Sequence, residues 1–216
     1  MHTVSTRTER ARRTIIIVDD DALIRMDLRE MLIEHGYEVA AEARNGEEAI
    51  ELAHRYKPEI MLMDVKMPGR NGIQAARAIQ KMSVHWQSGA PAIILLTAYS
   101  DRSYVEEATK SGVTAYLVKP VSEHNLIPAI EVACSQREQF MQVRVELQDL
   151  RQSLEDRKWI ERAKGRLMQV HGYSEDRAYE WLREHSMNER KPMVVLAQQL
   201  ILAHDLQLDP AGWGIE

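Results

Sequence analysis

Five short apolar runs, separated by stretches of helical periodicity, constrain the fold of this chain more than any other feature. The runs are rich in β-branched and aliphatic residues and too short to be helices. They cover 15–18, 37–41, 60–63, 92–96 and 115–118. Helical patterns lie between them, the last of these at 103–110. Strands that alternate with helices need crossover connections, so the pattern predicts a five-stranded parallel sheet with helices on both faces.

Polar residues follow four of the predicted strands at the points where those strands end. Asp19 and Asp20 follow the first strand, Asp64 the third, Thr97 the fourth and Lys119 the fifth. The carboxyl ends of parallel strands meet at one edge of a sheet, which is where such sheets bind ligands. Three carboxylates in one cleft repel each other, so we expect a hard cation such as Mg²⁺ among them.

This set of residues has the chemistry of phosphoryl transfer. A carboxylate beside Mg²⁺ can attack a phosphoryl group and form an aspartyl phosphate. Lys119 would supply a positive charge and Thr97 a hydroxyl donor to the same group. The alternative is that the acidic residues only cap a helix, and for Asp21 we predict a cap rather than a metal ligand.

The runs at these strand ends resemble the signature of the receiver domain of two-component response regulators. They are Val18-Asp19-Asp20, Met63-Asp64-Val65-Lys66-Met67-Pro68, Thr97-Ala98 and Lys119-Pro120. The resemblance covers 14–134 and implies a flavodoxin-like α/β fold. It also implies that a sensor histidine kinase phosphorylates Asp64.

The resemblance assigns roles to the residues around Asp64. Asp20 is implied as a direct Mg²⁺ ligand, Asp19 as a ligand through water, and the backbone carbonyl of Lys66 as a further ligand. Lys119 is implied to pair with the phosphoryl oxygens, with a cis peptide bond frequent in the family just after it. Thr97 and Tyr116 match a switch pair, in which the hydroxyl moves toward the phosphoryl group and the ring turns inward.

After the fifth strand the sequence becomes helical, and apolar residues follow a heptad spacing. The seam consists of Phe140, Val143, Leu147, Leu150 and Leu154. It predicts an all-α coiled-coil linker at 135–157 that makes the chain a homodimer. The alternative is an amphipathic helix lying on its own protein.

The segment 158–205 has three helical stripes and predicts a three-helix bundle, and we expect tails at 1–13 and 206–216. The first tail contains four arginines. We interpret it as disordered rather than as a transit peptide. The bundle carries a basic set of residues: Lys158, Arg162, Lys164, Arg166, Arg183 and Arg190. On charge alone, a solvated helix surface is the better interpretation.

The run from Ile160 to Met168 resembles the first helix of the ANTAR domain, an RNA-binding antiterminator module. Gly172, Ala178 and Leu182 also fall where that family has them, whereas His185 replaces a smaller residue. The resemblance implies that the small residues Ala163 and Gly165 leave the backbone of one helix face open to the approach of an RNA loop. Lys164 and nearby arginines are implied to hold phosphates or stack on unpaired bases.

The order of receiver, coiled coil and bundle resembles the actinobacterial phosphorylation-dependent antitermination regulators. It implies binding of hairpin RNA in leader transcripts and transcription antitermination. One alternative is a DNA-binding output, although the third bundle helix begins Pro192-Met193-Val194-Val195, which has no base-reading side chains. Another is an output that binds a protein partner. An enzymatic output lacks clustered catalytic groups.

Composition limits the remaining classes of protein. The net charge is −5, so any nucleic-acid surface must be local. The one cysteine, Cys134, cannot form an internal disulfide, which fits a reducing compartment. No apolar run reaches the length of a membrane span. We therefore expect a cytoplasmic protein without a membrane segment.

Overall fold

The structure is a computed structural model that describes residues 13–98 and 111–205. The expected tails, apart from Arg13, and the helix predicted at 103–110 lie outside the described residues. The chain divides into two compact units, one ending at Gln142 and the other beginning at Val143. Each unit has its own core.

The first unit contains the predicted five-stranded parallel sheet. The strands are β1 (Thr14–Val18), β2 (Glu38–Ala43), β3 (Ile60–Asp64), β4 (Ala92–Thr97) and β5 (Ala115–Val118). Their order is β2-β1-β3-β4-β5, and every neighbouring pair is parallel. The α/β prediction is therefore confirmed. The order changes direction beside β1, which makes the carboxyl ends of β1 and β3 the expected position of a ligand site.

Six α-helices lie within the described residues. They are α1 (Ala22–Glu34), α2 (Gly46–Tyr56), α3 (Gly72–Met82), α4 (Glu123–His171), α5 (Glu175–Glu189) and α6 (Met193–Asp205). A short 3-10 turn, Ser83–His85, follows α3. In these residues no helix combines the length and the apolar character that a membrane crossing requires.

The two faces of the sheet bury alternate residues of each strand. Ile16 and Met61 face α2 and α3, whereas Ile17 and Leu62 face α1 and the first turns of α4. All four side chains are completely buried. Because both faces are covered, the central strands β1, β3 and β4 are nearly continuous apolar runs, and the polar residues of the pocket lie at or just beyond their carboxyl ends.

Side-chain caps fix where four of the helices begin, including α2, which Asn45 caps. Asp21 accepts a hydrogen bond from the Leu23 backbone N–H and caps α1, as predicted. Asn71 caps α3 in the same way. Ser174 caps α5 by accepting a hydrogen bond from the Arg177 backbone N–H.

The second unit buries its core between the C-terminal part of α4 and the helices α5 and α6. The fully or nearly fully buried side chains are Ala163, Leu167, Ala178, Trp181, Leu182, Leu196, Ala197 and Ile201. Trp159, Tyr173 and Met193 pack against them at the edge. The predicted three-helix bundle is thus present, and its first helix is the end of α4.

Candidate functional site

Three carboxylates meet at the carboxyl edge of the sheet in the first unit. Asp19 follows β1 directly and Asp64 is the last residue of β3. One carboxylate oxygen from each of Asp19, Asp20 and Asp64 lies within 4.8 Å of the others. Asp19 and Asp64 are buried, whereas Asp20 is exposed. The structure therefore brings together the acidic residues that the sequence placed at this edge.

Lys119 places its ammonium between two of these carboxylates. Its Nζ lies 2.6 Å from Asp19 Oδ2 and 3.0 Å from Asp64 Oδ1. The backbone N–H of Lys119 donates to the Thr97 carbonyl at 2.8 Å, which joins β5 to β4 at the same edge. The peptide bond between Lys119 and Pro120 is cis, as the resemblance implied. Thr97 itself is buried.

Burial and hydrogen bonding shift the pKa values of this pocket in opposite directions. It raises the pKa of the Asp64 carboxyl above its usual value, although hydrogen bonding to Lys119 acts in the opposite direction. Burial alone would lower the pKa of Lys119, but its hydrogen bonds to Asp19 and Asp64 outweigh this and raise it. Lys119 is therefore a permanent cation at neutral pH.

The donor set fits a hard divalent cation. Three carboxylates offer only oxygen ligands, and the single ammonium leaves net negative charge in the pocket. A cation placed among them would favour the ionised form of Asp64, against the effect of burial. The exposed Asp20 also borders a cleft of about 590 Å³. The other residues that line this cleft are Arg44, Asn45, Glu47, Pro68 and Gly69.

The first residue of α3, Gly72, packs closely on the backbone of Asp64. A Cβ atom at Gly72 would lie 2.1 Å from the Asp64 carbonyl oxygen. Only glycine allows the first turn of α3 to approach the strand this closely.

Lys66, whose carbonyl the resemblance assigns to the metal, is exposed in the loop after β3. Tyr116, the implied switch residue, is half exposed on β5, so its ring does not point inward in this structure.

Comparison with known proteins identifies both units. The model of the response regulator receiver domain matches residues 15–131, and that of the ANTAR domain matches residues 148–201. The transcriptional regulatory protein PdtaR of Mycobacterium tuberculosis is 46% identical over 189 residues, which cover 88% of this chain and 89% of that protein. The chain is a response regulator with an ANTAR domain.

Two further relatives each match slightly more than half of this response regulator. The chemotaxis protein CheY of Thermotoga maritima is 38% identical over 118 residues, which are 55% of this chain and 94% of that protein. The crystal structure of a two-component response regulator of the LuxR family from Aurantimonas sp. is 33% identical, with a TM-score of 0.51. It covers 57% of this chain and 86% of that one.

The ANTAR unit exposes some of the predicted RNA-binding residues and buries others. Lys158, Arg162, Arg183 and Arg190 are exposed, and Arg166 is partly exposed. The Arg162 guanidinium lies 4.9 Å from the centre of the Trp159 ring, which holds it against the helix surface. Basic and aromatic surface thus lie side by side near the beginning of this unit.

Two of the predicted contact residues are not at the surface of this response regulator. Ala163 is completely buried in the bundle core, so its side chain cannot face an RNA loop as expected. Lys164 is also buried, and its ammonium lies 3.0 Å from Glu161 Oε1 and 2.8 Å from Glu175 Oε1. Its charge therefore ties α4 to the first turn of α5. Gly165, by contrast, is partly exposed, and a Cβ added there would meet nothing within 4 Å.

The acidic pocket also has a contact that no sequence motif indicates. The Arg25 guanidinium donates to the Asp19 backbone carbonyl at 2.8 Å. Its Nε lies 3.3 Å from Glu42 Oε2, on the neighbouring strand β2. The spacing between Asp19 and Arg25 in the sequence matches no motif. The contact of Arg25 with Glu42 follows only from the order of the strands in the sheet.

Proposed function

We propose that Asp64 accepts a phosphoryl group from a sensor histidine kinase, and that this controls binding of hairpin RNA by the ANTAR domain to promote transcription antitermination. The observation that carries the proposal is the position of Lys119, whose Nζ lies 3.0 Å from Asp64 Oδ1 in a pocket of three carboxylates. A cation held against a buried carboxylate is the arrangement that phosphoryl transfer to that carboxylate requires.

The Asp64 carboxylate acts as the nucleophile in this proposal. One of its oxygens attacks the phosphorus of a phosphohistidine, and a P–O bond forms while the P–N bond breaks. The electron pair of the broken bond stays on the imidazole nitrogen, which takes up a proton. Lys119, already within hydrogen-bond distance of Asp64, neutralises the oxygens of the transferred group.

The oxygen donors of Asp19, Asp20 and Asp64, with the Lys66 carbonyl of the family pattern, would hold Mg²⁺. When bound, the ion neutralises the charge on the transferring oxygens. The residues of the chain do the positioning. The Asp19 carboxylate is fixed at both oxygens, because Oδ1 accepts from the Asp21 N–H at 3.0 Å and Oδ2 accepts from Lys119 at 2.6 Å.

Phosphorylation would change the conformation of the receiver domain through Thr97 and Tyr116. Thr97 ends β4 beside the pocket and is buried, whereas Tyr116 on β5 is half exposed. Movement of the Thr97 hydroxyl toward the phosphoryl group leaves space behind it, into which the Tyr116 ring can turn. In this proposal, the half-exposed ring of Tyr116 represents the state before that movement.

RNA binding is proposed for the surface around Gly165. Its open backbone gives an unpaired RNA loop room to approach the helix, and the neighbouring cations contact phosphates or stack on bases. The side chains proposed for these contacts are Lys158, Arg162, Arg166, Arg183 and Arg190. Because Lys164 is held by two glutamates, we assign it to the stability of the bundle.

A homodimer through the heptad seam would present two ANTAR domains to a pair of hairpins. The five seam residues are between 46% and 70% exposed in a single chain, although all are apolar. Exposed apolar residues at heptad spacing are the usual surface of a coiled coil. Two linked binding sites raise the affinity for a two-hairpin target without any new contact.

The test is binding of the purified protein to a two-hairpin leader RNA, with and without an acyl-phosphate donor and Mg²⁺. We expect phosphorylation to tighten binding in the wild type and to have no effect in Asp64→Asn. A duplex DNA of equal length serves as the competitor. RNA binding that ignores phosphorylation would show that the pocket does not control this output. Preference for duplex DNA, or failure of a folded protein to bind either nucleic acid, would reject the RNA proposal.

A further inference from the structure

We infer that Arg25 is a positioning residue for the metal-binding carboxylates, held in place by Glu42. The inference rests on the Mg²⁺ site of the proposed function. Arg25 touches none of the three carboxylates. It donates instead to the backbone carbonyl of Asp19 at 2.8 Å, at the point where the chain leaves β1.

The Asp19 carbonyl determines the direction in which the chain continues into Asp20. The peptide group is planar, so one plane contains the Asp19 carbonyl and the nitrogen and Cα of Asp20. A hydrogen bond from Arg25 to that carbonyl therefore sets where the Asp20 side chain begins. Asp19 itself is fixed at its backbone nitrogen, which donates to the Ala43 carbonyl at 3.1 Å. The hydrogen bond from Arg25 fixes the Asp19 carbonyl, which is the end of the residue that β2 does not hold.

Glu42 fixes the arginine that makes this contact. Arg25 Nε lies 3.3 Å from Glu42 Oε2, and the Arg25 side chain is only 19% exposed. Arg29, one turn further along α1, lies 3.1 Å from Glu42 Oε1 but is 49% exposed. The two arginines thus share one glutamate, and of the two only Arg25 has a described hydrogen bond to Asp19.

Comparing variants of Arg25 and Arg29 distinguishes a positioning role from an effect of charge alone. Removing a positive charge near three carboxylates reduces repulsion of an incoming cation, so electrostatics alone would tighten Mg²⁺ binding in either variant. Loss of positioning acts in the opposite direction. Substitution of residues that orient metal ligands commonly weakens metal affinity by about tenfold or more.

The experiment measures the Mg²⁺ dissociation constant of the full chain by calorimetry, with Mn²⁺ binding by electron paramagnetic resonance as a second readout. We expect Arg25→Ala to weaken binding by about tenfold. The matched control Arg29→Ala should bind as tightly as the wild type or slightly more tightly. Arg25→Gln, which keeps a donor, should recover part of the affinity, and Glu42→Gln should weaken binding because Arg25 loses its support.

Circular dichroism and metal-free thermal unfolding check that each variant is folded. If Arg25→Ala is unfolded, Arg25→Gln carries the test, because loss of the negative charge in Glu42→Gln would weaken cation binding even without an effect on positioning. Equal or tighter Mg²⁺ binding in the folded Arg25 variants would overturn the inference. A wild type that binds neither Mg²⁺ nor Mn²⁺ would instead reject the metal site of the proposed function, which is a separate outcome.

Discussion

The ammonium of Lys164 lies 2.8 Å from Glu175 Oε1, across the turn that separates α4 from α5. A second carboxylate, Glu161, lies 3.0 Å away on α4 itself. The hydrogen bonds to these two glutamates raise the pKa of Lys164, so the residue stays charged at any physiological pH. A lysine in this environment joins two helices. The two glutamates already offset its charge, so it contributes little to phosphate binding.

Replacing Lys164 should therefore affect folding more than RNA binding. We expect Lys164→Ala to lower the free energy of unfolding by about 1–2 kcal/mol, because its aliphatic stem is buried. Arg162→Gln should leave stability nearly unchanged but weaken RNA binding and reduce its salt dependence by about one phosphate contact. Thermal unfolding and RNA titrations at several salt concentrations measure both effects. A large loss of RNA affinity in a folded Lys164→Gln variant would contradict this assignment.

Gly165→Ala should stabilise the ANTAR domain and weaken its binding of RNA. Glycine inside a helix costs about 0.5–1 kcal/mol relative to alanine, and the added methyl would meet nothing within 4 Å. The control is Gly172→Ala, which also has open space but a φ of +68° and should destabilise the protein by about 1 kcal/mol. If Gly165→Ala bound RNA like the wild type, the open backbone would not be the contact surface.

Gly72→Ala should disturb the phospho-accepting site from outside it. The new Cβ would lie 2.1 Å from the Asp64 carbonyl oxygen, so α3 or the end of β3 must shift. We expect a loss of about 2 kcal/mol in stability and slower phosphorylation by an acyl-phosphate donor. Gly36→Ala is the control: its φ of +80° brings strain, but a Cβ there meets nothing within 4 Å. That variant should lose stability at most, with its phosphorylation rate intact.

The thiol of Cys134 should react slowly in the native protein. Burial raises its pKa from 9.0 to about 11, although the nearby Arg13 acts in the opposite direction. At pH 8 the thiolate is then about 100-fold rarer than in the unfolded chain, and thiol reagents attack the thiolate. Because burial disfavours the thiolate, this group should lower the free energy of unfolding as the pH rises from about 9 toward 11 and leave it unaffected at lower pH. Equal rates of labelling with and without denaturant would contradict the burial.

Leu150→Asp should dissociate the proposed dimer. Leu150 is the fourth of the five seam residues and is 59% exposed in a single chain. An aspartate there would place a charge in the core of a coiled coil. Gln148→Asp makes the same change in charge at a position outside the seam and should remain dimeric. Sedimentation velocity of the phosphorylated protein distinguishes the two. If both variants sediment like the wild type, the seam does not hold the dimer.

The acidic pocket was predictable because each of its residues stands at or just beyond the carboxyl end of a strand. Once Asp19, Asp64 and Lys119 are assigned to strand ends, the geometry of a parallel sheet brings them together. The contact of Arg25 with Glu42 was not predictable in this way, because it requires knowing that β2 lies beside β1. In the bundle, the motif located Ala163 and Lys164 on one helix but not the side from which α5 and α6 cover it. Ala163 therefore proved to be a core residue.

The seam and the ANTAR core share one continuous helix within the second unit, so the number of residues between them matters. The part of α4 from Val143 onward carries the last seam residues, up to Leu154, and then the first core residues, Ala163 and Leu167. Each residue added to a helix turns everything beyond it by about 100°. An insertion of seven residues between Leu154 and Ala163 would turn the core positions by only about 20° relative to the seam. An insertion of one or two residues would turn them by about 100° or 200°, so the seam and the core positions would lose their present relation along the helix.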